Sequence, residues 1–233
     1  MLDEKQQTQL RVLLNASENK RIAAAAHDLM IKMAAANPPW ITYATSHYHI
    51  RADEMRALAL LMARGIQWEH ERHSDVPGPE AVLMGPYGSQ IEYKGIKFPV
   101  TNVSHGWHPD TATSVIIIPF EFMVLLADKR RKGETVEFDQ ESRRSLGKLT
   151  VEEAAFVHMV EEVRHSVQRQ RPEEARKYAV GETLNSCSVG MGVPKTTEHS
   201  SAMEIDVVPE MQLALQYFRT LGPNFSPPRG YLP

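Results

Sequence analysis

The run Thr113–Ile118 constrains the fold of this chain more than any other segment. Nearly every residue in it is β-branched and Pro119 ends it, which is typical of a strand. The run does not alternate between apolar and polar residues, and a strand of that kind is normally covered on both faces. The sequence therefore predicts a strand that is buried inside the fold.

Three shorter segments before this run also have strand character. They are Ala81–Met84, Gln90–Tyr93 and Phe98–Val103. The glycine-containing segments between them, residues 85–88 and 94–95, are typical of tight turns. We therefore predict a small meander, with the sheet lying within about residues 81–118.

The remaining segments are predicted to be mainly helical, because their apolar residues recur at helical spacing. Helices are predicted over residues 2–36, 51–66, 120–130, 150–170 and 209–221. Gly65 is expected to end the second helix and Pro209 to begin the last. Residues 40–44 are predicted as a short strand, 131–144 as a loop or exposed helix, and 181–199 as a loop. The fold class is therefore α+β: mainly helical, with a small antiparallel or mixed sheet.

The residue pattern changes at about residue 74, and the residues Pro77–Gly78–Pro79 that follow are typical of a turn. This change predicts a helical N-terminal region over residues 1–73 and an α+β region over residues 74–233. A single continuous domain is the alternative, because 233 residues are enough for one good core.

Composition excludes several functional classes. The net charge of −3 gives no electrostatic reason to expect nucleic-acid binding. The chain begins without the pattern of a signal peptide, and no apolar run approaches the roughly 20 residues that span a bilayer. Cys187 is the single cysteine, so no intrachain disulfide can form. We expect a cytoplasmic protein that binds neither nucleic acid nor membrane; its oligomeric state is left open.

The predicted helix 150–170 carries a polar stripe. Thr150 and Glu153 form a capping-box pattern at its start. Residues three and four positions apart share a helix face, so four polar residues align with Glu162 beside them. They are His158, Glu161, His165 and Gln168. Such a stripe lines a cleft or faces water, and the second reading makes Glu161 and Glu162 ordinary solvated side chains.

Two metal-binding spacings overlap in this stripe. Glu162-x-x-His165 is the spacing of di-iron bundles, but such a site needs a second Glu-x-x-His, and the chain contains none. The other spacing is His-Glu-x-x-His, in which two histidines one turn apart hold zinc and the glutamate activates water. Here Glu161 stands in place of the first histidine, and glutamate can also ligate metal through oxygen.

The run Glu161–Gln168 resembles the His-Glu-x-Arg-His-x-x-Gln helix of some zincin-like metallopeptidases. The later run Met203–Val207 is similar to the Glu-Ile-Asp-Ala-like run that carries the third ligand in those families. Together the two runs extend the resemblance over about residues 110–220.

The resemblance implies that Glu161, His165 and Glu204 ligate a divalent metal and that Glu162 is the general base. Zinc is the expected ion, with iron or manganese as alternatives because two ligands are carboxylates. It also implies a peptide or amide substrate, lying along the apolar segment Thr113–Ile118 as an edge strand.

Two further readings remain open. The chain is either an active hydrolase or a binding or assembly protein that keeps the fold without the chemistry.

The histidines at residues 46–49 and 105–108 have no carboxylate or cysteine at a recognised metal spacing. The segment His105–His108 is predicted as a turn beside the cleft, and Ser46–His49 as extended.

Overall fold

The computed structural model describes residues 39–138, 146–179 and 197–220. In chain order the elements are α1 (Pro39–Tyr48), α2 (Ala52–Arg72), β1 (Ala81–Gly85), β2 (Gln90–Tyr93), β3 (Ile96–Pro99), β4 (Ser104–His108), β5 (Thr113–Pro119), α3 (Phe120–Lys132), β6 (Val136–Phe138), β7 (Gly147–Leu149), α4 (Val151–Gln170), α5 (Pro172–Ala179) and α6 (Thr197–Thr220). The predicted fold class, α+β with a helical majority, is confirmed.

The largest described sheet has three strands in the order β1–β5–β4. β5 is its central strand, with β1 parallel to it on one side and β4 antiparallel on the other. The sheet is therefore mixed, which was one of the two arrangements expected. The shorter strands form two separate two-stranded sheets, β2–β3 and β6–β7.

All seven residues of β5 are buried, which confirms the prediction of burial on both faces. Ile116 and Ile118 belong to the main hydrophobic core, which α2, α3, α4 and α6 share. Val115 and Ile117 point the other way, into a smaller apolar cluster under the β2–β3 hairpin. Successive side chains of a strand alternate between faces, so each face of β5 contacts a different layer.

Two expectations for the sheet are wrong. β1 does not continue into β2 as a meander; it pairs with β5, whose residues lie more than 30 positions later in the chain. Thr113–Ile118 is not an edge strand either, because both its sides are hydrogen-bonded to neighbours. A substrate cannot add to it. Strand pairing depends on contacts between distant segments, which periodicity does not report.

Helices α2 and α4 form the closest helix pair of the described fold. Gly65 makes this possible, since a Cβ at that position would lie 2.2 Å from the Phe156 carbonyl oxygen. The expectation that Gly65 ends its helix is therefore wrong, and α2 continues to Arg72. Gly65 allows the neighbouring helix to approach closely, and it does not act as a C-cap.

The start of α4 agrees with the sequence prediction. Thr150 Oγ1 accepts a hydrogen bond from the Glu153 amide at 3.1 Å. Glu153 Oε2 accepts one from the Thr150 amide at 2.8 Å. This reciprocal capping box satisfies two amides that the helix itself cannot, and α4 ends at Gln170 as predicted.

Two other local predictions are corrected. Residues 40–44, predicted as a strand, lie in α1, where Ile41 and Ala44 face the core one turn apart. The last helix begins at Thr197 rather than at Pro209, so residues 197–199 are helical and not loop. Pro209 lies inside this helix on its exposed side, where solvent can satisfy the carbonyl that loses its hydrogen bond.

Several predictions lie outside the described residues. They concern the helix over residues 2–36, most of the loop 181–199, and Cys187. Within the described ranges, no helix is both long and apolar enough to cross a membrane.

Candidate metal centre

The polar stripe predicted on α4 is mostly covered by the rest of the protein, with His158 and His165 half-buried. Glu161 and Glu162 are each 6% exposed, and Gln168 has no exposed surface. The reading in which the two glutamates are solvated is therefore wrong. The flank of the helix formed by Val160, Val163 and Val167 is also buried.

Glu161 lies beside a histidine of its own helix. Its Oε2 is 3.5 Å from Nδ1 of His158, one turn earlier. The His158 ring is in turn packed between Phe122 and Phe138, at centroid distances of 5.1 and 4.5 Å. These aromatic rings pack on the His158 side chain and hold it in place beside the Glu161 carboxylate.

His165 is oriented by a hydrogen-bond chain. Its Nδ1 lies 2.9 Å from Gln168 Oε1, and Gln168 Nε2 donates to the Met203 carbonyl at 3.1 Å. Because a carbonyl oxygen only accepts, the Gln168 amide turns its NH₂ group to Met203 and its oxygen to His165. Nδ1 of the neutral ring then carries the proton, and Nε2 carries the lone pair that can ligate a metal.

The same chain places α6 against α4 next to the predicted third ligand. Glu204 follows Met203 on α6, and the structure describes its backbone but not its side chain. Its role as a ligand therefore stays a prediction. What the structure brings together is the Gln168 end of α4 and Met203, the residue before Glu204 on α6.

A second buried hydrogen-bond chain lies between the sheet and α4. Gln170 Nε2 donates to Ser166 Oγ at 2.7 Å, Ser166 and Ser114 hydroxyls lie 2.7 Å apart, and Ser114 Oγ is 2.9 Å from His105 Nε2. Gln170 donates at one end, and the two serine hydroxyls, which can each donate and accept, continue the chain to His105. Burial, with the neighbouring His165 and Arg169, holds the pKa of His105 well below its usual value.

His105 and Trp107 lie in β4 rather than in the turn predicted for them. Trp107, Ser114, Arg169 and Gln170 line an open cleft of about 370 Å³ at this end of the sheet. Residues 46–49 are not extended, because Ser46–Tyr48 complete α1 and only His49 follows it. A His-x-His arrangement on an extended strand is therefore absent at residues 47–49.

No family model, no curated protein and no solved structure matches the chain. The resemblance to zincin-like metallopeptidases therefore depends on the residues of this sequence alone.

Sequence reasoning missed one cluster of metal-ligand side chains. Among the described residues, Glu69, His73 and Glu210 are the one group of three whose ligand atoms all lie within 4.8 Å of one another. Glu69 and His73 come from the C-terminal end of α2, and Glu210 comes from α6.

The signal for this cluster was present in the sequence. Glu69-x-x-x-His73 repeats the spacing of Glu161-x-x-x-His165, and both pairs have arginine before the histidine. The prediction that Gly65 ends its helix removed Glu69 and His73 from any helix face. Glu210 carried no signal of its own, because its proximity to α2 is a property of the tertiary packing.

Proposed function

We propose that the protein is a metal-dependent hydrolase of peptide or amide bonds, related to the zincin-like metallopeptidases. Glu161, His165 and Glu204 hold the metal ion, and Glu162 is the general base. The hydrogen-bond chain from His165 through Gln168 to Met203 carries this proposal. Metal-ligating histidines are commonly oriented by an acceptor on their other ring nitrogen, as here.

The donor set suits a divalent ion. One imidazole and two carboxylates bind zinc, and the second carboxylate makes iron and manganese competitive. The ion would polarise the scissile carbonyl and make water a better nucleophile. The Glu162 carboxylate, buried beside the ligand positions, then accepts the proton of the attacking water.

We propose that β4 takes the substrate-binding role first expected for Thr113–Ile118. β4 pairs with β5 on one side, and no described strand pairs with its other side. An extended peptide can add to such an edge through backbone hydrogen bonds. The charge of His165 contributes to the lowered pKa of His105 on β4, which supports a β4 edge close to the proposed metal site.

The proposed location of this activity is the cytoplasm. The reason is chemical, since Cys187 is the single cysteine and the chain forms no intrachain disulfide of the kind common in oxidising compartments.

The test combines metal analysis with peptide cleavage by the full-length protein. Glu162→Gln should retain the metal and lose cleavage by about 100-fold or more, because only the base is removed. His165→Ala should lose one ion per chain. Gln168→Leu should weaken metal binding about 10–100-fold, because Gln168 orients His165 although it does not itself contact the metal. Glu152→Gln, on the same helix but outside the stripe, is the matched control and should change neither property.

Unchanged cleavage by Glu162→Gln would contradict the assigned base. Unchanged metal content in both His165→Ala and Glu204→Gln would contradict the site itself. Measuring both properties separates a wrong catalytic role from a wrong ligand set.

A non-catalytic binding protein is the second candidate. The observation that favours it is Glu161, which stands where the motif has histidine and lies 3.5 Å from His158. This candidate predicts a folded protein that cleaves no peptide in any metal-loaded form. Restoring the motif with Glu161→His would then yield measurable metal affinity where the natural chain has none at this site.

A further inference from the structure

Glu69 is a buried carboxylate without a hydrogen-bond donor. It has no exposed surface, and neither of its carboxylate oxygens has a hydrogen-bond partner. His73 Nε2 is 3.0 Å from Glu69 Oε1, but the ring N–H does not point at that oxygen, and Nε2 also lacks a hydrogen bond. A buried charge in this state is unstable unless something else neutralises it.

The neighbouring arginines are already committed to other carboxylates. Arg72 donates to Glu210 at 2.6 Å, and Arg164 pairs with Glu174 at 2.6 Å. Arg171 bonds both Asp75 and Glu174, at 2.7 and 2.5 Å. Among the described residues, no arginine or lysine forms an ion pair with Glu69, and its ion-pair contact is His73, which is a cation only when protonated.

The separations between the candidate ligand atoms suit a small metal ion. His73 Nε2 lies 3.0 Å from Glu69 Oε1 and 3.9 Å from Glu210 Oε1. Two ligands at about 2.1 Å from a tetrahedral zinc ion would be about 3.4 Å apart, and the observed distances bracket that value. Small shifts of the side chains would complete the geometry.

We infer that Glu69, His73 and Glu210 bind a divalent transition-metal ion of the zinc class, which ties the end of α2 to α6. The site is structural, because Glu69 is fully buried and a substrate cannot reach it. It is separate from the proposed hydrolytic site on α4 and does not depend on that proposal.

The protonation of His73 has to change when the ion binds. Arg171 can only donate, so its contact with His73 Nδ1 at 3.2 Å places the ring proton on Nε2 in the neutral, metal-free form. Metal on Nε2 requires the proton on Nδ1 and ends this contact. Arg171 keeps its bonds to Asp75 and Glu174, so the loss is limited to one long hydrogen bond.

The experiment titrates full-length, metal-depleted protein with Zn²⁺ and Co²⁺ in the His165→Ala background, which removes the proposed α4 site. One ion should bind per chain, and Co²⁺ should give a visible spectrum of nitrogen and oxygen coordination. Zn²⁺ at 100-fold above its dissociation constant should raise the melting temperature by about 5–10 °C.

Glu69→Gln and Glu210→Gln in the same background should each weaken binding by about 100-fold or more, since even outer-shell changes cost 10–100-fold. Glu210 is the safer variant for folding because it is partly exposed. Glu71→Gln, on α2 but hydrogen-bonded to Gln67, is the control and should bind normally.

The inference is overturned if His165→Ala protein binds no ion, or if Glu210→Gln binds as tightly as its parent. Metal binding in this background, together with no peptide cleavage by the metal-loaded natural chain, would contradict the hydrolase and leave the α2–α6 site standing. Peptide cleavage by the natural chain, together with no metal binding in the His165→Ala background, would contradict only the α2–α6 site.

Discussion

At the scale of single residues, the partner on one ring nitrogen decides what the other nitrogen can do. His165 and His73 have the same Glu-x-x-x-His spacing. Gln168 accepts from Nδ1 of His165, whereas Arg171 donates to Nδ1 of His73. The first ring is ready to ligate a metal through Nε2, and the second must first move its proton.

His105 should make stability depend on pH. Its pKa in the folded protein is well below the unfolded value of about 6.5, because it is buried and faces His165 and Arg169. Below about pH 6.5 the unfolded chain takes up a proton that the folded chain refuses, so stability falls as pH falls, by up to about 1.4 kcal/mol per pH unit. Urea unfolding from pH 5 to 7.5, with chelator present, measures this slope.

His105→Gln should flatten that slope between pH 5 and 6.5, while the exposed His47→Gln should leave it unchanged. An identical slope in the His105 variant would show that another group causes the dependence.

At this scale the sequence predicted which residues of α4 share a face, but it did not predict which other parts of the protein surround them. The helix period correctly placed Glu161, His165 and Gln168 on one face of α4. Their burial, and the position of Glu69 beside Glu210, depend on which other elements cover them. The identity and spacing of those residues alone do not show which elements cover them.

At the scale of elements, predictions held where the signal was local. Thr150 and Glu153 determine the start of α4 through bonds within four residues. Predictions failed where tertiary packing decided the outcome, as in residues 40–44, whose strand propensity was overridden when Ile41 and Ala44 packed on the core as a helix. The prediction that Gly65 ends its helix failed for the same reason, because the absence of a side chain there allows α4 to pack closely on α2.

Gly65→Ala should destabilise the protein although alanine favours helix. The added Cβ would meet the Phe156 carbonyl oxygen at 2.2 Å and Met159 Cβ at 2.9 Å, so α2 and α4 would have to separate. We expect a loss of about 2 kcal/mol or more in unfolding free energy, above the gain of about 1 kcal/mol in helix propensity.

Chemical denaturation measures this loss, with Ala57→Ser on the same helix as a control that should change stability by less than about 0.5 kcal/mol. A stabilised Gly65→Ala protein would mean that the two helices are not in such close contact.

At the scale of the whole molecule, β5 is the centre of the described fold. It is paired on both sides, and its two faces contact the helical core and the β2–β3 cluster. The sequence predicted its burial from composition. It could not predict the order β1–β5–β4, because β1 and β5 lie more than 30 positions apart in the chain and their pairing is decided by tertiary packing.

Hydrogen exchange should rank these regions. Amides of β5 and of the middle of α4 should exchange most slowly, because they open only when the main core unfolds. Amides of the β2–β3 hairpin, whose strands pair only with each other, should exchange faster. Equal protection of the hairpin and β5 would mean that both open in one cooperative step.

The bond between Arg72 and Glu210 has a consequence for synthesis of the chain. It joins residues 138 positions apart. A ribosome that adds about 5–20 residues per second needs about 7–28 s to make that stretch. During this interval α2 and its Glu69 exist before the segment that forms α6 has been made. Every newly made copy therefore passes through a stage in which the end of α2 lacks its Glu210 partner.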